Sequence, residues 1–422
     1  MTPRERLFAL EQFGIKLGLD NSTTILQALN RPDQAFTTIH VGGTNGKGSV
    51  TAMVERGLRA AGHRTGRYTS PHLTDIEERI VIDGAPVASG AFDAITADVL
   101  GIVDELIETG LLPHLPTFFE VTTAIAFEAF RRARVSAAVI EVGLGGRYDA
   151  TNVITPAVTA ITSIALDHER HLGTSLSEIA FEKAGIIKPG VPIVAGWMPV
   201  EAARVITDAA RLKRAPLTWA APAEAGTPVQ LALAGRHQQR NAAVAVEILR
   251  RCSIDLAMPR DAIVAALTDV EWPARLEWLR VPAGDVLLDA AHNPDGAAAL
   301  AEYVLASVGP LPLVCGVMGD KDVPAIARAL SPAVSRFVTT TAPSPRALSA
   351  RELADCIRGA VPGAAVESRD DPMAALLEAL HSAPRTMVGG SIFLVGPVRA
   401  QLRAQGATTV RYPSNTSPFF LD

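Results

Sequence analysis

The chain has 422 residues, 48% of them hydrophobic, enough to fill the cores of two or three domains, and carries 39 Lys and Arg against 44 Asp and Glu, a net charge of -5. That balance offers no positive field to a polyanion, so nucleic acid is excluded as an expected partner. No segment reaches the ~18 unbroken apolar residues of a membrane span, and charges break the first apolar stretch of MTPRERLFALEQFG where a signal peptide has none. The expectation is a cytoplasmic protein with no membrane partner.

In chain order, a short helical lead precedes FTTIHVGG, a strand running into a glycine loop, and GSVTAMVERGLRAAG, an amphipathic helix with a Gly stop. RTGRYTS reads as a short strand and RIVIDGAPV as a hairpin on its Asp-Gly turn, with helices before and after LPTFFE. VSAAVIEVG and AVTAITSIALD are nearly all apolar, as strands of a parallel sheet covered on both faces should be. A helix through LSEIAFEKAGIIK, the strand VPIVAG and a further helix lead to GRHQQRNAAVAVEILRR, another amphipathic helix. Beyond EWPARLEWL, the strands DVLLDAA, PLVCGVM, RFVTTTA and SIFLVG alternate with helices, the mark of a second open parallel sheet. The fold class is therefore α/β, an N-terminal P-loop-type domain with a parallel-rich sheet and a smaller C-terminal Rossmann-like domain. Trp272 and Pro273 suit a rigid junction, giving domains 1–272 and 273–422. Cys252, Cys315 and Cys356 lie far apart among aliphatic residues and read as reduced core residues.

The chemistry starts at HVGGTNGKGSVT, His40 to Thr51. It nearly spells the phosphate loop GxxxxGK[ST], but Gly48 stands between Lys47 and Ser49. Four glycines in seven residues let backbone N–H groups converge on phosphate oxygens, with Lys47 as a mobile cation and Ser49 or Thr51 able to complete a magnesium shell. Glu141 ends an apolar strand at the sheet edge where such folds bind ligands, and can hold magnesium. The following GLGGR lacks the GxGxxG spacing of a dinucleotide site, and His168 and His171 in DHERHLG are one residue short of the HExxH zinc pattern. Asp289 ends a later strand, and His292 and Asn293 occupy the loop before a helix beginning near Pro294.

With GTNGKGS come TSPHL, TFFE, EVGLGGRYDATN, DH, EKAGIIKPG, GRHQQRNA, WPARLE and DAAHNPDG, in order from Phe13 to about Gly296. Together they resemble the Mur ligase superfamily, specifically its folylpolyglutamate synthase and dihydrofolate synthase branch. The resemblance implies ATP held by Thr44, Asn45, Gly46, Lys47, Gly48, Ser49, Asn241, Arg275 and Asp289, and two Mg2+ ions held among Ser49, Ser70, Glu141 and His168. It implies a carbamylated lysine at Lys183; helix position alone would make this a solvent-facing lysine paired with Glu178 or Glu182. His292 falls near the phosphates or the incoming amino acid, and joins Lys47 and Lys183 as the catalytic set. Thr117, Phe118, Phe119, Glu120, Tyr148, Asp149 and Ala150 match the pterin pocket, where Phe118 and Phe119 suit stacking on a flat heterocycle.

The implied reaction sends a substrate carboxylate onto the γ-phosphate of ATP, and the acyl phosphate then meets the amine of L-glutamate. The substrate is a reduced folate or dihydropteroate; Lys16 stands where bifunctional members carry an acid, which leaves the choice open. The protein is expected to act as a monomer. A cell-wall peptide ligase is the first rival, though only roughly 35 residues precede the glycine-loop strand, too few for its extra domain. A non-catalytic nucleotide switch is the second, and it needs neither a metal cluster nor the DAAHNP loop.

Overall fold

The computed structural model describes residues 1–14, 18–112, 114–252, 256–412 and 418–421. Its first sheet contains β1 (Thr37–Gly42), β2 (Thr65–Tyr68), β3 (Ile80–Ile82), β4 (Ala85–Pro86), β5 (Ala137–Glu141), β6 (Val158–Ile161), β7 (Ile193–Ala195) and β8 (Leu217–Trp219), in the order β4-β3-β2-β5-β1-β6-β7-β8. β1 lies between β5 and β6, parallel to both, with Val41 opposite Glu141. Successive side chains of a strand point to opposite faces, and β5 shows why its run is wholly apolar. Ala137 and Val139 join the core built with Val50, Met53, Val54 and Leu58 of helix Lys47–Ala60 and with helix Arg236–Cys252. Ala138 and Ile140 face Val121, Ile125 and Phe127 of helix Phe118–Ala133 on the other side.

The second sheet runs β14-β13-β12-β15-β11-β10-β16, built from β10 (Glu277–Val281), β11 (Gly284–Leu288), β12 (Leu311–Cys315), β13 (Val334–Thr339), β14 (Val366–Ser368), β15 (Arg385–Gly389) and β16 (Thr408–Val410). Its five-strand body is parallel, but β10 and β16 form an antiparallel edge. A separate pair, β9 (Thr227–Val229) with β17 (Phe419–Leu421), returns the end of the chain to the first lobe, where Phe419 and Leu421 are buried in the same core as Val50.

Two readings are corrected. SIFLVG is not a strand: Ser391 caps helix Ile392–Ala404 by accepting from the Phe393 N–H, and the strand is the preceding RTMVG. A short apolar run has no period to separate the two outcomes, and the cap decides it. This helix abuts the TSPHL loop so closely that a Cβ on Gly396 would stand 2.0 Å from the Leu73 carbonyl oxygen. Cys252 and Cys315 are buried as expected, whereas Cys356 is exposed on the polar side of helix Ala350–Ala360. Among the described residues no helix is long and apolar enough to cross a membrane.

Candidate active site

The glycine loop leaves β1 at the sheet's C-terminal edge and turns into helix Lys47–Ala60 with Gly43 at φ +138° and Gly46 at φ +86°, backbone that a side chain resists. Contacts tighten the demand. A Cβ would fall 2.0 Å from Thr162 Oγ1 at Gly43, 2.3 Å from Asn241 Oδ1 at Gly46 and 2.6 Å from the Trp272 ring at Gly48. The extra glycine is thus explained by Trp272, which rests on the loop and carries the Arg67 guanidinium 5.0 Å from its ring centre. Lys47 folds back, its Nζ donating to the carbonyls of Gly43 (3.2 Å) and Thr44 (3.1 Å). Gln238, which the sequence reading passed over, donates to Ser49 Oγ (3.2 Å) and accepts from Asn241 Nδ2 (2.9 Å), fixing both side chains against the loop.

Beside the loop stands a group of buried charges. Glu141 sits at the tip of β5, and the Ser70 N–H approaches its Oε2 at 3.4 Å. Burial, opposed by Lys47, pushes this carboxyl up to about 7. Lys183 is also buried, so it is not the solvent-facing lysine that helix position suggested; its Nζ donates to the Gly43 carbonyl at 2.9 Å, and burial with the charge of Lys47 brings it down to about 7. His168 takes a left-handed backbone (φ +53°), and burial, only partly opposed by Asp167, lowers it to about 4. Among the described residues no three His, Cys, Asp or Glu side chains converge on one point. A magnesium here would therefore rest on one carboxylate, hydroxyls, an imidazole and phosphate oxygens, a donor set that suits a cation keeping only one or two carboxylates.

Asp167, unremarked in the sequence beyond its place in DH, joins the two lobes. Lys321 donates to its Oδ1 at 2.5 Å, Asn293 Nδ2 to its Oδ2 at 3.0 Å, and His292 Nε2 lies 3.5 Å away; all three come from the second lobe. Burial works against ionisation here, yet the His292 hydrogen bond and the charges of His168, His292 and Lys321 hold the carboxyl well below the usual range. Asn45 of the glycine loop extends the contact, exchanging hydrogen bonds with Asn293 and donating to Asp295 at 2.8 Å. Asp289 serves first as a clasp: its oxygens accept the N–H groups of Leu276 (2.9 Å) and Ala291 (2.8 Å), holding the PARLE and AAHNP loops together. Arg275, on left-handed neighbours Ala274 (φ +56°) and Leu276 (φ +48°), lines the cleft with Asp289 and His292.

The cleft between the lobes has a volume of about 500 Å³ and brings together Thr44 to Ser49, Ser70, Glu141, His168, Lys183, Asn241, Arg275, Asp289 and His292. The seven pterin candidates are not all at its wall. Phe118 lines it, stacked on Phe8 at 5.7 Å and crossed by the Arg79 guanidinium at 5.1 Å. Phe119 lies behind it, its ring where a Cβ on Gly143 would be. Thr117 and Glu120 form a buried capping box. Asp149 accepts from Thr151 and from the Leu144 N–H, Ala150 is buried beside it, and Tyr148 is exposed. Lys16 lies outside the described residues.

Residues 274–394 match the family described as Mur ligase, glutamate ligase domain. The folylpolyglutamate synthase of Lacticaseibacillus casei is 34% identical over 405 residues, covering 90% of this chain and 93% of that one. Among solved structures, Mycobacterium tuberculosis folylpolyglutamate synthase complexed with ADP has a TM-score of 0.85 at 33% identity, covering 94% of this chain and 98% of the other. A bifunctional folylpolyglutamate synthase/dihydrofolate synthase with Mn, AMPPNP and L-glutamate bound has a TM-score of 0.83 at 29% identity, covering 96% and 98%.

Proposed function

This chain belongs to the folylpolyglutamate synthase/dihydrofolate synthase family of Mur ligases, and we propose that its cleft joins L-glutamate to the carboxylate of a reduced folate with cleavage of ATP to ADP and phosphate. The observation that carries this reading is the convergence, in one cleft, of a glycine loop with Lys47 from the first lobe and the His292 loop from the second. The reaction is a carboxylate oxygen attacking the γ-phosphorus with ADP leaving; the glutamate amine then displaces phosphate and loses a proton. Both reactants of the first step are anions, so the residues must neutralise them. The loop N–H groups from Gly46 to Ser49 and Lys47 take the triphosphate, with Thr44 and Asn45 anchoring the loop on Ser163, and Arg275 and His292 face it from the second lobe. Asn241 and Gln238 hold the loop in shape, while Asp289 holds Arg275 and His292 to each other's loops.

Glu141, Ser49, Ser70 and His168 are the residues that would hold two magnesium ions, whose contribution is to screen phosphate charge during transfer. A buried carboxyl raised to about 7 is a group in want of a counter-cation, which fits that role. Lys183, with an amine near 7 inside the protein, has the neutral form that adds carbon dioxide, and we read it as a carbamate. Phe118 with Arg79 is read as the pterin platform. We further read 1–272 and 273–422 as the ATP- and pterin-binding and glutamate-ligase domains, and the working form as a cytoplasmic monomer. The relatives are folate ligases, so the cell-wall and switch readings are set aside.

The test is ADP release measured with each substrate omitted in turn, with the product identified by mass spectrometry. ADP release that needs both glutamate and a reduced folate is expected; release only with a UDP-muramyl substrate would reject the proposal. Dihydropteroate in the same panel decides the second activity.

A further inference from the structure

His40 opens the stretch that holds the glycine loop, yet the reaction as derived above makes no use of it. It stands on β1 two residues before Gly42 and is fully buried, while its neighbours Ile39 and Val41 point into the core on the opposite face. A buried polar ring needs partners, and this one has a single partner. Nε2 lies 2.8 Å from Thr151 Oγ1, and Nδ1 meets none among the described residues. The Thr151 hydroxyl also lies 2.5 Å from Asp149 Oδ1, which takes the Thr151 N–H at 3.0 Å as well; Asp149 Oδ2 takes the Leu144 N–H at 2.9 Å. The directions follow. Both carboxylate oxygens accept, so the one hydroxyl proton goes to Asp149, and the hydroxyl oxygen is left to accept from His40. The ring is neutral, since burial and the charge of Lys188 bring it down to about 3, and its proton sits on Nε2.

The relay ends on the cleft wall. Gly143, Leu144 and Gly145 line the cleft, and a Cβ on Gly143 would meet the Phe119 ring at 2.5 Å. The turn Ala150–Val153 that carries Thr151 is also pinned to the end of the helix bearing Lys183. Asn152 Nδ2 donates to the carbonyls of Arg147 (2.9 Å) and Gly185 (3.2 Å), and Lys188 donates to the Asn152 carbonyl at 2.7 Å. His40 adds the tie to β1. We propose that His40 is a positioning residue for the folate side of the cleft: donating through Thr151, it aims Asp149, which holds the Gly143–Gly145 wall against the first turn of the Phe118 helix. This rests on the folate-ligase reading above.

Steady-state kinetics of His40→Gln, His40→Leu, Thr151→Ser and Thr151→Val would test it, with each substrate varied and thermal melting as a folding control. His40→Gln keeps an N–H near the place of Nε2 and Thr151→Ser keeps the hydroxyl, so both should hold the folate KM within about threefold. His40→Leu and Thr151→Val break the relay and should raise it about tenfold, with the ATP and glutamate KM values moving less than about twofold. Should His40→Leu fail to fold, Thr151→Val, which keeps the side-chain shape, carries the same prediction. An equal rise in the ATP KM, or no difference between Gln and Leu at position 40, would overturn the assignment. Nitrogen-15 NMR of histidine-labelled enzyme gives a readout apart from turnover: the signals lost in His40→Gln should be those of a neutral ring protonated on Nε2, and an Nδ1–H ring or an imidazolium would also overturn it. If the unaltered enzyme shows no folate-dependent turnover, the ligase reading itself falls and takes the positioning role with it, whichever nitrogen carries the proton.

Discussion

The two walls of the cleft are built in opposite ways. On the first lobe the charges are sunk into protein: Glu141 and Lys183 are each 5% exposed and both are driven to about 7, and Arg79 is lowered by burial. On the second lobe Arg346 is exposed and the His292 side chain is at 37%, while the buried charges, Asp289 and Lys321, are already paired with backbone N–H groups and with Asp167. The first wall stores unfavourable charge that an arriving triphosphate and its cations would relieve, which is the arrangement expected of a preorganised phosphoryl-transfer surface. The second wall keeps hydrated groups that exchange water for ligand at little cost.

That contrast can be broken in order of expected effect. Lys47→Ala removes the mobile cation of the sunken wall, and turnover should fall about 10²–10³-fold with melting temperature nearly unchanged, because Nζ supports no core contact. Full activity in the variant would take this lysine out of the chemistry. Asp167→Asn removes the ion pair between the walls and leaves Lys321 without a counter-charge at 10% exposure, so turnover should drop about tenfold to a hundredfold. In a double-mutant cycle with Lys321→Ala the coupling should be ~1–3 kcal/mol; additive effects would mean the lobes close without this pair.

Gly48→Ala forces the Trp272 ring aside, and the ATP KM should rise several-fold, recovering when Trp272 is cut to Leu; no recovery would mean the glycine is needed for something other than room. The last effect leaves turnover aside and is on stability. Lys183 titrates near 10.5 unfolded and near 7 folded, so between those values the unfolded chain binds the extra proton and stability must rise with pH. Against Lys183→Met in carbon-dioxide-free buffer, the unmodified protein should gain about 1.4 kcal/mol per pH unit from pH 7 upward. A flat difference would place the amine in water.

The sequence showed the strand-loop-helix, the acid at the tip of β5 and the second alternating sheet because each is a local pattern. Why Gly48 is a glycine was not legible, since its reason is the ring of Trp272, remote along the chain and in contact only once folded. Asp167 and Lys321 were missed for the same cause: each follows an apolar strand in an ordinary polar loop, and their pairing spans 154 residues. GRHQQRNA was read for Asn241 alone, although Gln238, one helical turn earlier, is the more buried of the two. The aromatic pair shows the limit of composition, as Phe118 and Phe119 are chemically alike and only helix phase puts the buried Phe118 at the cleft wall and the less buried Phe119 against Gly143.

The return of β17 to the first lobe has a mechanical consequence. β17 pairs with β9 and buries Phe419 and Leu421 beside Val50, so a pull on this last strand would load the core of the first lobe and leave the second sheet unloaded. Removing Phe419 and Leu421 takes two buried side chains from that core and should lower the melting temperature, although neither residue touches the cleft.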